Sequence, residues 1–362
     1  MTVADGREST AGAAVVQRGG QAAADPSYCG AMSQPARPAA LPLLCSDTFS
    51  GRAVFVAPRR RDRPDDAGLL AGHGPGAAPA EWCPFCAGNE SRTPPHVLRV
   101  PDDPAAPWRA RIVPNCFPVV AHAPGASGAS DAVRTAHGVH DVVVESPEHA
   151  RSILEIDPAA WCDVWDLVRR RLELLAGRDD LVWAHVFKNS GPRAGASLEH
   201  VHSQLVGLDF VPPVVRTELA AAAAHPFDAL LDRAFAEGRI VAESGGLVAL
   251  VPPAPRQPYE TWILPAAAAP HFHAAPAGHV AALAALTQSL VSRLGRLVPA
   301  ADYNWWLHQA PFGRAAERSA AGWHWHLEIL PRVSEFAGFE LGTGCHITTL
   351  HAAESARLLR DG

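Results

Sequence analysis

The sequence predicts an α+β fold made by duplication of one structural unit. The first half has a strand that ends at a proline, then a histidine, then a helical segment over 158–176, and two further strands. The second half repeats this order around a helical segment over 277–298, and in both halves the last strand carries His-x-His. In addition, 51 residues separate His149 from His200 and also His273 from His324.

Composition excludes several classes of protein. The chain has 362 residues, of which 48% are hydrophobic and 19% charged, which is enough apolar material for a sizeable core. A net charge of −6 argues against a nucleic-acid-binding protein. No signal peptide and no apolar run of about 18 residues are present. We therefore expect no nucleic-acid partner, no membrane segment and a cytoplasmic location.

The N-terminal region offers two interpretable segments. Residues 1–40 are rich in Ala, Gly, Gln, Ser and Pro without periodicity, which predicts a disordered leader. After the turn at 47–51 and a short strand at 53–56, a basic segment follows that contains Arg60 and Arg63. This segment is either a solvated turn or an arginine clamp for a phosphate or a nucleotide.

Cys83-Pro84-Phe85-Cys86 has two interpretations. A redox pair usually has its first cysteine at a helix start, and the residues that follow here are unsuited to a helix. Half of a zinc site would need two further nitrogen or sulfur ligands from elsewhere in the chain.

The remaining elements follow from periodicity and capping signals. Asp157 and Pro158 predict a helix that begins with an aspartate cap and a proline in its first turn. A second apolar pattern predicts a helix over 217–237. Alternating or apolar runs predict strands within 111–120, 139–146, 181–187, 247–251, 259–264, 303–308 and 323–330.

The segment from Asn189 to Gln204 carries the strongest chemical signal. Its first part is a loop rich in Gly and Ser, whose backbone N–H groups are able to approach an anion. It ends in His200, His202 and Gln204 at every second position, and such residues project from one face of an extended strand. A donor-rich loop that leads into imidazoles predicts phosphate chemistry.

Eight motifs together resemble the galactose-1-phosphate uridylyltransferases of the histidine-triad superfamily, and relatives such as plant ADP-glucose phosphorylase. The motifs are Asp47-x-x-Ser50-Gly51-Arg52, Pro58-Arg59-Arg60-x-x-Arg63-Pro64, Cys83 to Asn89, Val113-Pro114-Asn115, Ser146 to His149, Asn189 to Gln204, His308-x-x-Pro311-Phe312 and His324-x-His326. The resemblance implies two histidine-triad-like units with half-barrel antiparallel sheets, at residues 41–212 and 213–362, in a homodimer.

The resemblance also implies the roles of individual residues. Cys83, Cys86, His149 and His200 would hold a structural zinc. His202 would be the nucleophile that forms a nucleotidyl-histidine intermediate. The remaining implied site residues are Gln204 and Ser197 in catalysis, Asn189 and Gly195 at the phosphates, Arg60, Arg63 and Asn115 at the nucleotide, and Glu340 at the sugar.

A second metal site, for zinc or iron, is implied at Glu218, His308, His324 and His326. The alternative is that His324 and His326 remain from the duplication and hold no metal. The C-terminal segment departs from the bacterial uridylyltransferases, because Phe339 and His346 stand where they carry Tyr and Gln.

The leading hypothesis for function is the transfer of UMP from a UDP-hexose to a hexose 1-phosphate. An ADP-sugar phosphorylase or adenylyltransferase is the alternative within the same mechanism. A histidine-triad hydrolase is disfavoured, since Gln204 replaces the third histidine. A zinc-stabilised binding protein without activity is disfavoured by the presence of both His202 and Gln204.

Overall fold

The computed structural model describes residues 41–47, 49–62, 82–123, 132–224, 227–313 and 322–362. The predicted leader over 1–40 and the expected nucleotide contact Arg63 lie outside these residues. The described strands are β1 (Leu43–Ser46), β2 (Ala53–Val56), β3 (Leu98–Val100), β4 (Ala110–Pro114), β5 (Val133–Thr135), β6 (Gly138–Val144), β7 (Trp183–Ser190), β8 (His202–Leu208), β9 (Ile240–Ser244), β10 (Leu247–Leu250), β11 (Thr261–Pro265), β12 (Tyr303–His308) and β13 (His326–Pro331). The described α-helices are α1 (Pro158–Ala176), α2 (Pro213–Ala224), α3 (Phe227–Ala236), α4 (Ala277–Leu297), α5 (Gly338–Thr343) and α6 (Ala352–Asp361).

Ten strands form one antiparallel sheet in the order β3-β4-β6-β8-β7-β12-β13-β11-β10-β9. The α+β prediction is thus confirmed, and the five strands on each side of the β7–β12 junction follow the same order. At that junction Asn189 is paired with Asn304 and Phe187 with Trp306. Pairing the two strands satisfies backbone groups that each half would otherwise expose at an edge. The boundary at residue 212 stays a prediction.

The helices α1 and α4 cover one face of this sheet, and the alternation of side chains along each strand determines which residues face them. Leu205 and Leu327 point to the helix side and belong to the main core cluster, together with residues of α1 and α4. The two helices are also linked directly, since Trp161 Nε1 donates to Thr287 Oγ1 at 2.9 Å. His202 and Gln204, on alternate positions of β8, therefore lie on the opposite face.

The helix start predicted at Asp157 is present. The Asp157 carboxylate accepts hydrogen bonds from the backbone N–H groups of Ala159 and Ala160, and Pro158 is the first helical residue. The helix expected over 217–237 corresponds to α2 and α3, and the two residues between them, 225 and 226, lie outside the described part of the chain.

The remaining strands form a small sheet in the order β2-β1-β5. Leu44 of β1 and Trp183 of β7 belong to the same buried cluster, so this small sheet packs beside the strands that carry the candidate site. Among the described residues, no helix combines the length and the hydrophobicity needed to cross a membrane.

Candidate active site and metal clusters

His202 is the first residue of β8 and is 9% exposed. Its Nδ1 donates a hydrogen bond to the carbonyl oxygen of His200 at 2.8 Å. A proton on Nδ1 leaves the lone pair of the neutral imidazole on Nε2. This is the tautomer that a nucleophilic Nε2 requires. His200 itself precedes the strand, so the row of three residues expected on one strand is shortened to His202 and Gln204.

Gln204 lies two residues further along the same face and is also buried. Its Oε1 is 3.0 Å from Nε2 of His140 on the neighbouring strand β6. Asn115, which follows β4, has its Nδ2 3.1 Å from the same imidazole nitrogen. His140 was not among the residues singled out from the sequence. The available signal was its place on β6, which pairs with the strand that carries His202, and this pairing is not visible in the sequence.

The loop between β7 and β8 depends on two glycines with positive φ angles. Gly191 has φ +86°, and a Cβ there would lie 1.9 Å from Asp302 Oδ1. Gly195 has φ +83° in the left-handed region, which glycine adopts without strain. Asp302 Oδ2 accepts the backbone N–H of Arg193 at 2.6 Å. Residues of the second half therefore shape the loop that belongs to the first half.

Asn304 on β12 anchors the same loop. Its Nδ2 donates to Asn189 Oδ1 at 2.9 Å and to the carbonyl oxygen of Ala194 at 2.8 Å. Because its Oδ1 is held by this bond, Asn189 directs its amide nitrogen toward the loop, where Nδ2 is 3.5 Å from the Gly195 carbonyl oxygen. Ser197 is half-buried at the end of the loop.

Cys83, Cys86, His149 and His200 form one cluster, in which the possible ligand atoms all lie within 4.8 Å of one another. His200 Nδ1 lies 3.5 Å from the sulfur of each cysteine, and His149 Nδ1 lies 3.3 Å from that of Cys86. His200 Nε2 donates to the carbonyl oxygen of Ser146 at 3.0 Å. This bond turns the lone pair on Nδ1 toward the sulfurs, as expected for a metal-binding histidine.

The chemistry of this cluster fits a bound cation. Burial and the adjacent Cys83 raise the pKa of the Cys86 thiol to about 12. Burial likewise lowers the pKa of His200 to about 3. A divalent metal bound here would supply the positive charge that stabilises cysteine sulfur as thiolate, and neutral imidazole nitrogens such as Nδ1 of His200 would complete its ligands.

The second half repeats the local geometry around its own His-x-His pair. His326 is the first residue of β13, and its Nδ1 donates to the carbonyl oxygen of His324 at 3.0 Å. His324 Nδ1 donates to the carbonyl oxygen of Pro265 at 2.7 Å. His200 makes the corresponding bond to the Ser146 carbonyl oxygen, but through Nε2. Glu328 stands where the first half has Gln204.

A second cluster lies around this repeated pair. Glu218, His308 and His326 place possible ligand atoms within 4.8 Å of one another, and Glu218 Oε2 lies 2.9 Å from His308 Nδ1. The two atoms are buried and form a close ionic contact, but neither makes a hydrogen bond of suitable geometry among the described residues. A carboxylate oxygen and an imidazole nitrogen in this arrangement fit a bound cation. His324 is outside this group; its Nε2 is also buried without a hydrogen bond and lies 3.6 Å from Asp228 Oδ1.

Glu328 is a residue of this region that the sequence reasoning missed. Its Oε1 lies 3.6 Å from His308 Nδ1 and 3.5 Å from His326 Nε2, and Arg256 forms an ion pair with its other oxygen. Although burial opposes charge, contact with His326, His308 and Arg256 lowers the pKa of Glu328 to about 2. The alternation His324, His326, Glu328 along the strand was the available signal.

A third group, His122, His137 and Asp180, has a structural explanation. His137 Nδ1 accepts the backbone N–H of Ala123, so its Nε2 carries the proton and donates to Asp180 at 2.9 Å. Arg178 Nη2 donates to the same carboxylate, to Asp180 Oδ2, at 2.5 Å. Neither nitrogen of His137 therefore offers a lone pair to a metal.

Two expected substrate contacts are held by their own neighbours. Arg60 Nη1 donates to the carbonyl oxygen of Phe117 at 3.1 Å. Phe117 is two residues after Asn115, so Arg60 lies near that expected nucleotide contact. Glu340 accepts the backbone N–H of Ala337 at 3.0 Å and so caps the start of α5.

Comparisons with known proteins bear on this arrangement. A family model described as galactose-1-phosphate uridyl transferase, N-terminal domain, matches residues 125–212, and a domain of unknown function (DUF4921) matches residues 172–359. ADP-glucose phosphorylase from Arabidopsis thaliana is 31% identical over 329 residues, covering 88% of this chain and 93% of the relative. Galactose-1-phosphate uridylyltransferase from Thermotoga maritima is 26% identical over 256 residues, covering 62% and 74%. The crystal structure of the A. thaliana phosphorylase with bound ADP-glucose has a TM-score of 0.71 at 30% identity, covering 89% and 99% of the two chains.

Proposed function

The chain belongs to the galactose-1-phosphate uridylyltransferase family, with similarity to ADP-glucose phosphorylase, and from this premise we propose that it transfers a nucleotidyl group through His202. The observation that carries the proposal is the hydrogen bond from His202 Nδ1 to the His200 carbonyl oxygen. It leaves the lone pair of the neutral imidazole on Nε2.

The reaction would proceed in two displacements. In the first, Nε2 of His202 attacks the α-phosphorus of a nucleotide sugar, and the bond from that phosphorus to the bridging oxygen breaks. The sugar 1-phosphate leaves with the electron pair. In the second, an oxygen of an acceptor phosphate attacks the same phosphorus, and the bond to Nε2 breaks and restores the imidazole.

Gln204 suits transfer between phosphates. A side-chain amide donates hydrogen bonds to a phosphoryl oxygen, but at neutral pH it has no acidic proton to give a leaving group. A sugar 1-phosphate leaves as a stable anion and needs little protonation, so a general acid is not required. Asn189 and the backbone of the adjacent loop would supply further donors to the phosphates.

The comparisons favour an ADP-sugar over a UDP-sugar. The ADP-glucose phosphorylase relative is matched over 88% of this chain, whereas the uridylyltransferase relative is matched over 62% and at lower identity. We therefore place the ADP-sugar phosphorylase reaction first. The uridylyltransferase reaction is second, supported by the family model over 125–212.

The two metal clusters have separate proposed roles. Cys83, Cys86, His149 and His200 would hold a structural zinc that ties the segment before β8 to residues distant in sequence. Glu218, His308 and His326 would hold a second zinc or iron ion, which would supply a fixed positive charge. We further propose a homodimer, the assembly that the family resemblance implies.

Intact-mass measurement after a rapid quench tests the proposal. The protein is incubated with ADP-glucose or with UDP-glucose, without acceptor. We expect an AMP adduct on the wild type and no adduct on His202→Gly. A UMP adduct alone would select the second reaction, and the absence of any adduct from either sugar nucleotide would contradict both.

A further inference from the structure

A backbone hydrogen bond determines which nitrogen of His140 carries the proton. The backbone N–H of Val119 lies 3.1 Å from His140 Nδ1, and a backbone N–H is always a donor. Nδ1 must accept, so the neutral imidazole carries its proton on Nε2. His140 is only 6% exposed, so little water reaches the ring to compete for these hydrogen bonds.

The protonated Nε2 in turn orients Gln204. It lies 3.0 Å from Oε1 of that side chain, and an N–H donates to an oxygen. The amide NH₂ group of Gln204 must then point away from His140. Gln204 is the direct neighbour of Val142 across the sheet, and His202 is two residues before it on the same face.

The orientation of the Asn115 amide is fixed as well. Its Oδ1 accepts the backbone N–H of Phe117 at 2.8 Å, so its Nδ2 is the atom that lies 3.1 Å from His140 Nε2. Two N–H groups form no hydrogen bond with each other. The donors of Asn115 are thus left for another acceptor, beside those of Gln204.

We propose that His140 is a positioning residue for nucleotidyl transfer, which holds the Gln204 amide with its NH₂ group directed at a phosphoryl oxygen of the substrate. The inference rests on the proposed function. Without His140 the Gln204 amide is able to rotate, and its oxygen would face the phosphoryl oxygen and repel it. A fixed donor stabilises charge that develops on the phosphoryl group in the transition state, and so it acts on kcat.

The test compares His140→Phe, which removes both hydrogen bonds, with His140→Gln, which has an acceptor for Val119 and a donor for Gln204. Adduct formation from the sugar nucleotide is followed by rapid quench. We expect His140→Phe to slow adduct formation by about 100-fold, the order seen for loss of one oxyanion donor, with KM changed by less than about threefold. His140→Gln should recover at least about tenfold of that loss.

A double-mutant cycle separates positioning from a general structural role. In a Gln204→Ala background, His140→Phe should slow the reaction by less than about threefold further. The inference would be overturned if the rate losses of His140→Phe and Gln204→Ala were additive. It would also be overturned if His140→Phe formed the adduct as fast as the wild type, or if His140→Gln were as slow as His140→Phe. The exposed His122 provides the control, since His122→Phe should react as the wild type does. A wild type that forms no adduct overturns the proposed function as well.

Discussion

Lys188 and Glu145 form an ion pair inside the protein, with Lys188 Nζ 2.5 Å from Glu145 Oε2 and both side chains no more than 2% exposed. The pair links the residue that follows β6 to strands β7 and β8 beside His202. Lys188 also donates to the carbonyl oxygen of His202 at 2.9 Å, and Glu145 accepts from Ser203 Oγ at 2.5 Å. Lys188 is the only lysine in the chain.

Removing one partner of this pair should be costly. Lys188→Met leaves the Glu145 carboxylate buried without its counter-charge, and we expect a loss of about 3–5 kcal/mol in the free energy of unfolding. The double variant Lys188→Met/Glu145→Gln should be more stable than the single variant, because no charge remains to be compensated. Urea denaturation measures both. A single variant as stable as the wild type would contradict a role for the pair.

The cysteine and histidine cluster should account for one metal ion per chain. Cys83→Ser removes a ligand, so metal analysis should find one equivalent of zinc fewer than in the wild type. Cys162→Ser, at a half-buried cysteine outside the cluster, serves as the control and should keep its metal. Full retention of metal by Cys83→Ser would refute the assignment.

The second cluster should lose its metal independently of the first. His308→Asn removes an imidazole that faces Glu218, and we expect it to lower the metal content by one equivalent while zinc at Cys83 stays bound. His351→Asn changes an exposed histidine and should have no effect. Equal metal content in His308→Asn and the wild type would support the alternative that His324 and His326 remain from the duplication and hold no metal.

Gly191 should tolerate no side chain. Gly191→Ala places a Cβ against Asp302 and imposes a positive φ on alanine, so the loop before His202 must shift. We expect a loss of about 1–3 kcal/mol in stability and slower adduct formation. In contrast, Gly295→Ala lies within α4, where a Cβ meets nothing within 4 Å, and should stabilise the protein by about 0.5–1 kcal/mol. Similar effects from both substitutions would exclude this explanation.

Asp180 should make stability depend on pH at the acidic end. Hydrogen bonds from Arg178 and then His137 hold the pKa of this carboxyl well below its usual value. A carboxyl with a lower pKa in the folded state stabilises the protein above its unfolded pKa of about 4, and this contribution is lost as pH falls through the folded pKa.

Asp180→Asn should therefore be less stable than the wild type at pH 7, and the difference should shrink progressively below about pH 4. Chemical denaturation at several pH values measures this trend. Asp179→Asn, at the exposed neighbouring aspartate, should match the wild type throughout. A difference that stays constant down to the lowest pH would argue against an ionised Asp180 as its source.

Local sequence determined the class of fold and the start of its main helix. Apolar periodicity and turn residues act over a few positions, and they were sufficient to predict the duplication and the cap at Asp157. The motif at Cys83 indicated a half-site for a metal. Its partners His149 and His200 were named from the family resemblance, and the structure brings these four side chains together.

Tertiary structure alone decided which residues act on one another across strands. Nothing local in the sequence pairs β7 with β12, 115 positions further along at Asn189 and Asn304, and so nothing local predicts one continuous sheet. The same is true of His140 beside Gln204 and of Lys188 beside Glu145. Their contacts depend on strand register, and a shift of one residue would turn each of these side chains to the opposite face.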